Sequence, residues 1–357
     1  MYIHWSHHYL PKIFGILSFV FNPLFMWLIL SEKKASIGKY RYLLIGFAIF
    51  DMFYSTVELF VPVAIHGTGA AFVIYLADGP FFGTGHLGQL AVSIRCGCIS
   101  LSYGILIIHF IYRYFVLFNT HIIEAMLRPS GLFGLFIFFI CHGIAWSTVC
   151  EMFLYGDQEV FDYIYEGFKR DYNVDSHDLS MLMALFFVRD MRKRPKKIEK
   201  RLQDASPEIK RRSWMGILIL TGISTYAVSL YIILGWKIMK KLADNPGVSK
   251  TTQKLHRQLF KALAVQTFIP ICISFSPCMM AWYGPVLGLD LGMWNNYLGV
   301  IALSAFPVLD PLAIIILLPN YRNKLIGVVK KPIKYLNSGT SAVQPTGDSS
   351  GAATQLY

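Results

Sequence analysis

The chain has 357 residues, of which 55% are hydrophobic and only 15% are charged, and its mean hydropathy is +0.48. Soluble domains carry about 25% charged residues, so this composition excludes an ordinary soluble protein. The net charge of +12 does not indicate nucleic-acid binding, because the basic residues lie between apolar stretches rather than on a separate domain. A cationic face toward anionic lipid explains them better.

Seven apolar stretches follow one another along the chain. Each has roughly the 20 residues that a helix needs to cross about 30 Å of hydrocarbon. They occupy residues 13–30, 42–65, 90–118, 131–154, 214–236, 259–283 and 297–318. The sequence therefore predicts an all-α membrane protein, a seven-transmembrane helix bundle over residues 1–336 with a disordered cytoplasmic tail at 337–357. No cleavable signal precedes the first stretch, so we expect it to be retained.

Lysines and arginines in the connecting segments predict the orientation, because cytoplasmic segments carry an excess of them. They are frequent after the first, fifth and seventh stretches, whereas residues 65–89 and 284–296 contain none. We therefore expect the N-terminus outside and the C-terminus in the cytoplasm. The segment 155–212 is basic in its second half and conflicts with this orientation. It is close to the length at which the rule stops applying.

The second stretch carries two acids, Asp51 and Glu58, which are seven residues apart and therefore on one helical face. Carboxylates inside a bilayer face the interior of the bundle. Two interpretations stay open for them. They are a conformational switch or the polar part of a ligand path, or they are a hydrogen-bonded pair that only packs.

The third stretch ends at Arg113, which stands between Tyr112 and Tyr114, and His109 lies one turn earlier on the same face. An arginine where a spanning helix meets water is costly and tends to carry function. The alternative is a side chain that extends to the membrane surface. Arg95, near the other end, could pair with an acid of the long loop or meet a ligand. Extension to the surface is the favoured interpretation for it.

The segment 155–212 is predicted to be a long extracellular loop. Residues 162–171 mix acids and aromatic residues, which is typical of a surface helix. Ser176 is a candidate cap for a second helix over residues 181–188. That apolar run is too short to span, so we expect it to pack down as a lid. Residues 189–212 are predicted to be exposed and charged.

The last two stretches contain four prolines, Pro270, Pro277, Pro307 and Pro311. Proline removes a backbone hydrogen bond and kinks a helix. Spanning helices tolerate a single proline, but four of them in two helices predict hinges.

Basic residues also mark the predicted cytoplasmic side. Lys254, Arg257 and Lys261 form a stripe that leads into the sixth stretch. We expect this stripe to contact lipid headgroups, and docking of an acidic partner is an additional interpretation. After the seventh stretch, residues 320–336 alternate basic and apolar side chains, which suits a short helix at the membrane surface.

Enzyme and metal motifs are absent from the sequence. It contains no P-loop, H-E-x-x-H or G-x-S-x-G motif, and its six cysteines show no paired C-x-x-C zinc spacing. Cys98 and Cys150 could form a disulfide near the ends of two helices, or they could be small packing residues. His4, His7 and His8 resemble one histidine box of membrane di-iron enzymes, but the other boxes are missing. We predict neither an enzyme nor a cofactor.

Short motifs in a specific order carry a resemblance to a known family over roughly residues 10–336. They are Tyr40-Arg41-Tyr42-Leu43-Leu44, Phe50-Asp51, Pro62, His66-Gly67, Phe110-Ile111-Tyr112-Arg113-Tyr114-Phe115, Asp171-Tyr172-Asn173-Val174-Asp175, Gln258-Leu259-Phe260-Lys261-Ala262-Leu263, Gln266-Thr267, Pro270, Leu309-Asp310-Pro311-Leu312 and Tyr321-Arg322. With these motifs the chain resembles the nematode serpentine chemoreceptors of the Str superfamily, most closely class J (Srj).

The resemblance implies a seven-helix receptor that senses small, often volatile molecules at sensory cilia and signals through a heterotrimeric G protein. It also implies that Arg113 lies on the G-protein side and that Asp310-Pro311 is the switch of the seventh helix. The segment 189–212 looks longer and more basic than expected of the family, which bears on the lid rather than on the fold. No ligand residue can be carried over, because the family has no fixed ligand motif.

Together these observations predict a G-protein-coupled chemosensory (olfactory-type) receptor in the plasma membrane. We expect a small chemical ligand, a heterotrimeric G protein and lipid as partners, and no nucleic acid. The ligand is expected beneath the long loop, between the third, fifth, sixth and seventh helices. The residues expected to face the G protein are Arg113, Tyr112, Tyr114, Lys254, Arg257 and Lys261. The candidates for interior switches are Asp51, Glu58, His109, Pro270, Pro277, Asp310 and Pro311.

The main alternative is a seven-helix ligand-gated cation channel. A channel predicts the opposite orientation and a polar stripe along one helix, and the sequence shows no such stripe. A transporter is a weaker alternative, since no internal repeat is visible. A purely structural membrane protein leaves the charges within the spans unexplained.

Overall fold

The computed structural model describes residues 5–31, 38–67, 71–186, 207–243, 250–272, 276–284, 287 and 292–339. The helices in these ranges are α1 (Trp5–Leu30), α2 (Tyr40–Phe60), α3 (His86–Phe118), α4 (Thr120–Met126), α5 (Pro129–Phe153), α6 (Gln158–Tyr172), α7 (Pro207–Ala243), α8 (Lys250–Pro270), α9 (Ser276–Tyr283), α10 (Gly292–Leu317) and α11 (Pro319–Gly339). The strands are β1 (Val63–Gly67), β2 (Ala71–Leu76) and β3 (Met181–Leu185).

The fold is mostly helical, as predicted for a seven-helix membrane protein. Among the described residues, six helices are long and apolar enough to cross a membrane: α1, α2, α3, α5, α7 and α10. The remaining predicted stretch, 259–283, falls on α8 and α9, with residues 273–275 outside the described ranges. Pro270 ends α8, and a wider π-helical turn follows at Ile271 and Cys272. A proline near the end of a helix explains this interruption, because it removes one backbone hydrogen bond.

Helix α3 lies at the centre of the bundle. Its most apolar 18-residue window is 89% buried, against 17% for the corresponding window of α5. Small residues let α3 approach α5 closely: a Cβ added at Gly97 would lie 2.8 Å from the carbonyl oxygen of Gly143. Such contacts are typical of helices that pack through small residues in a membrane. The central position of α3 makes it the natural link between the two ends of the bundle.

A three-stranded antiparallel sheet, in the order β1-β2-β3, covers one end of the bundle. Ile65 pairs with Ile74, and Ile74 pairs with Leu182, so one apolar row crosses the sheet and faces the bundle. The other face, with Val73 and Tyr75, packs under α6. Because both faces of the sheet are buried, the sequences of its strands are mostly apolar and do not alternate between apolar and polar residues. We call the sheet together with α6 the lid, and this end of the bundle the sheet end.

Helix α6 confirms the surface helix predicted at 162–171. Its buried residues, Val160, Ile164, Phe168 and Tyr172, recur every four positions and form one apolar face. Asp157 caps its N-terminus by accepting a hydrogen bond of 3.1 Å from the Val160 amide. It ends at Tyr172, and Asn173 follows in the left-handed conformation with φ of 54° that asparagine tolerates at such a position.

Two predictions for the lid are wrong. Residues Met181–Leu185 form a strand rather than part of a second helix, because their backbone pairs with the edge of β2 and their side chains are buried on both faces. Ser176 does not cap a helix. It opens a single 3₁₀ turn that is capped by Asp175, and its hydroxyl donates to the Phe161 carbonyl oxygen. The second predicted stretch also ends early, since α2 stops at Phe60 and β1 begins at Val63.

Two further predictions fall largely outside the described residues. Of the charged segment predicted at 189–212, residues 189–206 lie outside, while Arg211 and Arg212 belong to the first turns of α7. Residues 340–357 of the predicted tail also lie outside. The short helix predicted at 320–336 is confirmed as α11, which continues to Gly339.

Candidate functional site

A cavity of about 630 Å³ lies between the lid and the helices. All three strands contribute to its roof. Its walls come from α3, α5, α7, α9 and α10, so the fourth helix and the sheet join the third, fifth, sixth and seventh helices expected from the sequence. Its lining comprises Val63, Ile65, Phe72, Ile74, Arg95, Cys96, Ile99, Trp146, Cys150, Leu154, Leu182, Met183, Leu220, Trp282 and Leu303.

Arg95 is the charged residue of that lining, and it is only 2% exposed. Its Nη2 lies 3.4 Å from Glu58 Oε2, and its guanidinium lies 4.3 Å from the centre of the Tyr54 ring. Ser304 on α10 donates a hydrogen bond to Glu58 Oε1. The predicted extension of Arg95 to the surface is therefore wrong, because a buried acid on α2 neutralises the charge inside the bundle. The predicted inward position of Glu58 is confirmed.

A second cavity of about 390 Å³ lies on the other side of this ion pair. Glu58 lines the second cavity, Arg95 lines the first, and Val63 lines both. The rim of the second cavity is polar, with Lys12 Nζ 2.8 Å from Asp78 Oδ2. The Glu58–Arg95 pair thus lies between an apolar cavity and one whose lining includes the charged side chains Lys12 and Asp78.

Two histidines stand in opposite environments, one in the lid and one in the 3₁₀ turn that joins α6 to β3. His66 on β1 is buried, and its Nδ1 lies 3.0 Å from the Tyr172 hydroxyl. Burial lowers the pKa of His66 to about 4. His177 lies 2.8 Å from Asp175 and 3.1 Å from Asp162. The hydrogen bond with Asp175 raises the pKa of His177 above its ordinary value.

Of the two interpretations left open for Cys98 and Cys150, the structure favours packing, because both cysteines are free. Cys150 lines the cavity together with Cys96 of α3. Residues two apart on a helix point about 200° away from each other, so Cys98 faces a different direction from Cys96.

Asp51 and Asp310 are fully buried in the middle of the bundle, as predicted for the acid of α2. Gln266 on α8 donates a hydrogen bond of 2.8 Å to Asp310 Oδ2, which ties the sixth and seventh helices together. Neither carboxylate oxygen of Asp51 has a hydrogen-bond partner among the described residues. Buried carboxylates without partners are costly, so this part of the bundle is a candidate for rearrangement.

The prolines of α10 also leave a polar group that another helix satisfies. Pro311 has no N–H to donate to the carbonyl oxygen of Pro307, four residues earlier. Asn22 of α1 donates to that oxygen instead, at 2.9 Å. This contact anchors the kinked helix to α1 at the level of Asp310. Pro277, in contrast, stands in the first turn of α9, where a missing N–H costs little.

Arg113 is 5% exposed at the end of the bundle opposite the lid, which we call the arginine end. Its guanidinium lies 3.5 Å from the centre of the Tyr40 ring, at the first residue of α2. The Tyr40 hydroxyl lies 3.1 Å from His109 Nδ1, and its ring stacks on Tyr112. The structure thus brings Arg113, His109 and Tyr112 together around one tyrosine. Arg113 Nε and Nη2 have no hydrogen-bond partner among the described residues.

Comparison with known proteins identifies the family. A family model described as "Serpentine type 7TM GPCR chemoreceptor Srj" matches residues 1–325. The chain belongs to the Srj family of serpentine receptors. It is 33% identical over 341 residues to Serpentine receptor class J-38 of Caenorhabditis elegans, an alignment that covers 95% of this chain and 98% of that relative.

Other serpentine receptors of the same nematode are more distant. G-protein coupled receptor str-33 is 25% identical over 85% of each chain. Serpentine receptor class r-10 is 23% identical over 87% of this chain and 86% of its own length. This Srj protein is therefore a multi-pass integral membrane protein of a chemoreceptor family rather than of an enzyme family. The match does not support the alternative of a channel.

Several basic residues of the Srj chain lie on the helices at the arginine end. Lys254, Arg257 and Lys261 are exposed on α8. On the neighbouring α7, Lys237 Nζ lies 5.8 Å from the centre of the Tyr114 ring and Lys241 Nζ lies 5.4 Å from that of Phe118, both on α3. The predicted basic stripe therefore lies on an exposed face.

Sequence reasoning missed the partners of the buried charges and of the free carbonyl of α10. The charges meet Tyr40, Tyr54, Gln266 and Ser304, and the Pro307 carbonyl meets Asn22. Tyr40 and Gln266 stand in motifs that carry the resemblance, but nothing in the local pattern indicates which charge each would meet. The partner of an uncharged polar side chain in an apolar helix can be identified only when the packing of the helices is known.

Proposed function

We propose that this Srj protein is a G-protein-coupled chemosensory receptor for a small, volatile or otherwise diffusible molecule. The observation that carries the proposal is the position of two sites on one helix. Helix α3 contributes Arg95 to the cavity and Arg113 to the opposite end. Their 18-residue separation corresponds to about 27 Å along the helix axis. A central helix that joins a cavity to a buried charge is suited to transmit binding across a membrane.

In this proposal the sheet end faces outward, and the arginine end faces the cytoplasm. The basic residues around the arginine end support this orientation, since cytoplasmic segments are enriched in lysine and arginine. In this orientation, the exposed stripe of Lys254, Arg257 and Lys261 and the buried Arg113 both face the cytoplasm, where a heterotrimeric G protein would bind. By family, the plasma membrane of a sensory cilium is the expected location.

Signalling requires that the ligand bind one state more tightly than another. We assign the resting state to the arrangement in which Tyr40 covers Arg113 and Gln266 holds Asp310. Ligand in the cavity contacts α3, α9 and α10 together, so it can bias their relative positions. Pro270, Pro307 and Pro311 supply the bends about which the sixth and seventh helices move, and release of Arg113 exposes its guanidinium to the G protein.

Two experiments test this function. Tags at each terminus, probed in intact cells, are expected to show an accessible N-terminus and a protected C-terminus; the reverse result contradicts the orientation. Nucleotide exchange on a heterotrimeric G protein is then measured with the reconstituted receptor and a panel of small ketones, alcohols and acids. Arg113→Ala is expected to abolish stimulated exchange, whereas Arg212→Ala, at the sheet end, leaves it intact. Unchanged exchange with Arg113→Ala would remove Arg113 from the mechanism.

A further inference from the structure

The lining of the cavity has an unusual composition. Apart from Arg95 and two cysteines, every described lining residue is aliphatic, aromatic or methionine. Trp146 and Trp282 supply large flat surfaces whose ring centres are 6.0 Å apart. An apolar chamber with one positioned polar group fixes the orientation of a ligand through that group.

The guanidinium of Arg95 has donors to spare. Nη2 interacts with Glu58, and the flat face of the group covers Tyr54. Nε is buried and has no acceptor among the described residues. A buried donor without an acceptor costs free energy, and the cost is larger when the donor belongs to a charged group. A ligand that brings an acceptor to this nitrogen recovers that cost.

The charge of the site restricts what this acceptor can be. Glu58 already neutralises Arg95, and Ser304 gives the carboxylate a second contact. A ligand carboxylate would add an unbalanced negative charge to an apolar chamber, which is strongly unfavourable. A neutral oxygen adds none.

We propose, on the basis of the receptor function above, that the cavity binds an uncharged, mostly apolar molecule whose carbonyl or ether oxygen accepts a hydrogen bond from the Arg95 guanidinium. Glu58 is then the residue that selects neutral ligands against carboxylates. The apolar part of the molecule packs between Trp146 and Trp282 on one side and the strand residues Ile74 and Leu182 on the other.

The proposal is tested by binding, independently of any G protein. The full-length receptor is purified into lipid nanodiscs, and the affinities of 2-octanone, octanoate and octane are obtained from ligand-induced thermal stabilisation, with empty nanodiscs as the correction for partitioning. We expect 2-octanone to bind best. Octane lacks the hydrogen bond to a charged donor and is expected to bind about ten- to a hundredfold more weakly. Octanoate is expected to be weaker than 2-octanone as well.

Three variants make the test specific. Arg95→Met removes the donor, so 2-octanone should lose its advantage over octane. Glu58→Gln leaves the arginine charge unbalanced, so octanoate should overtake 2-octanone. The double variant has neither charge, which keeps the cavity neutral, and should bind 2-octanone and octane alike even where a single variant folds poorly. Arg212→Met is the matched control, because Arg212 also covers a tyrosine, Tyr155, but does not line the cavity.

Several results would overturn the proposal: a wild-type preference for octanoate, an advantage of 2-octanone that survives in the double variant, or no binding of any of the three probes to folded wild-type receptor. Failure of the receptor function looks different. Binding of 2-octanone with the expected variant pattern, but without any effect on nucleotide exchange, would reject G-protein signalling and keep the ligand class. Ligand-stimulated exchange that is unchanged by substitution of Arg95 and Glu58 would keep G-protein signalling and reject the proposed ligand class.

Discussion

The two arginines of α3 occupy similar surroundings with one difference. Each is buried, and each lies over a tyrosine ring of α2, Arg95 over Tyr54 at 4.3 Å and Arg113 over Tyr40 at 3.5 Å. Arg95 also has a carboxylate, Glu58, within 3.4 Å. Arg113 has no acidic partner within salt-bridge distance among the described residues. One arginine therefore belongs to a neutral pair, whereas the other lies over a tyrosine without a counter-charge in the described part of the chain.

Because of this difference, we expect the Arg95–Glu58 contact to be stable and the Arg113–Tyr40 contact to be more easily broken. An ion pair in the interior resists the removal of either member, because the remaining charge would be buried alone. A cation over an aromatic ring is stabilised by about 2 kcal/mol even when it is desolvated. Separating Arg113 from Tyr40 at the arginine end therefore requires less free energy than separating Arg95 from Glu58 at the sheet end, which agrees with the proposed roles of the two ends.

The largest effect is expected from breaking the ion pair at the sheet end. Arg95→Met leaves Glu58 buried without its counter-charge, and we expect a loss of about 3–5 kcal/mol in the free energy of unfolding. The double variant Glu58→Gln/Arg95→Met should recover most of the loss, since no lone charge remains. Unfolding in nanodiscs measures both. Equal destabilisation by the single and double variants would show that the pair contributes packing and little electrostatic energy.

Acidification should weaken the sheet end selectively. His66 has a folded pKa of about 4, below the ordinary value of 6.5. Its contribution to stability is therefore complete above pH 6.5 and is lost as the pH falls from 6.5 toward 4, on the order of 2 kcal/mol. Hydrogen exchange should accelerate in β1 and α6 over this window, while the start of α2 is unaffected.

The second histidine, in the 3₁₀ turn, acts in the opposite sense. The raised pKa of His177 means that its contribution is complete below pH 6.5 and is lost as the pH rises through the folded pKa. His66→Phe should abolish the acid-dependent exchange and His177→Gln should leave it. Persistence of the acid effect in His66→Phe would point to another titrating group.

A smaller effect is expected at the arginine end. Tyr40→Leu removes the ring that covers Arg113, so we expect ligand-free nucleotide exchange to rise and stability to fall by about 1–2 kcal/mol. Tyr40→Phe keeps the ring over Arg113 and loses the contact of the hydroxyl with His109, which should cost about 1 kcal/mol with little change in exchange. Tyr42→Leu is the control, because its contact with Arg41 is on the surface. If Tyr40→Leu left basal exchange at the wild-type rate, Tyr40 would not restrain Arg113.

The smallest effect is expected at the cysteines. Cys98 and Cys150 are free, so a reducing agent should leave the unfolding temperature unchanged. Cys98→Ser should lower stability by about 1 kcal/mol, because the new hydroxyl is buried but can donate to the helix carbonyl one turn earlier. A marked loss on reduction would indicate a bridge and would revise the packing of α3 against α5.

Most of the spanning helices were predictable, because a helix that crosses a membrane must be apolar over about 20 residues. Six predicted stretches match spanning helices, and α6 matches the amphipathic pattern at 162–171. The inward position of Asp51 and Glu58 followed from the cost of exposing carboxylates to lipid. The same reasoning failed for Arg95. A long charged side chain near a helix end can either extend to the membrane surface or pair with a buried acid, and the choice depends on whether an acid lies opposite it on a neighbouring helix.

The sheet marks the other limit of prediction. A short apolar run such as Met181–Leu185 fits a helix or a buried strand equally well, and its partner β2 lies more than a hundred residues earlier in the chain. By itself the sequence determined the class of protein, its family and the buried position of its acids, since these depend on composition, motif order and hydropathy. Only the tertiary structure decided which partner each buried charge meets, where the cavity lies and that a sheet covers it. Those features arise from contacts between distant segments, which no local pattern encodes.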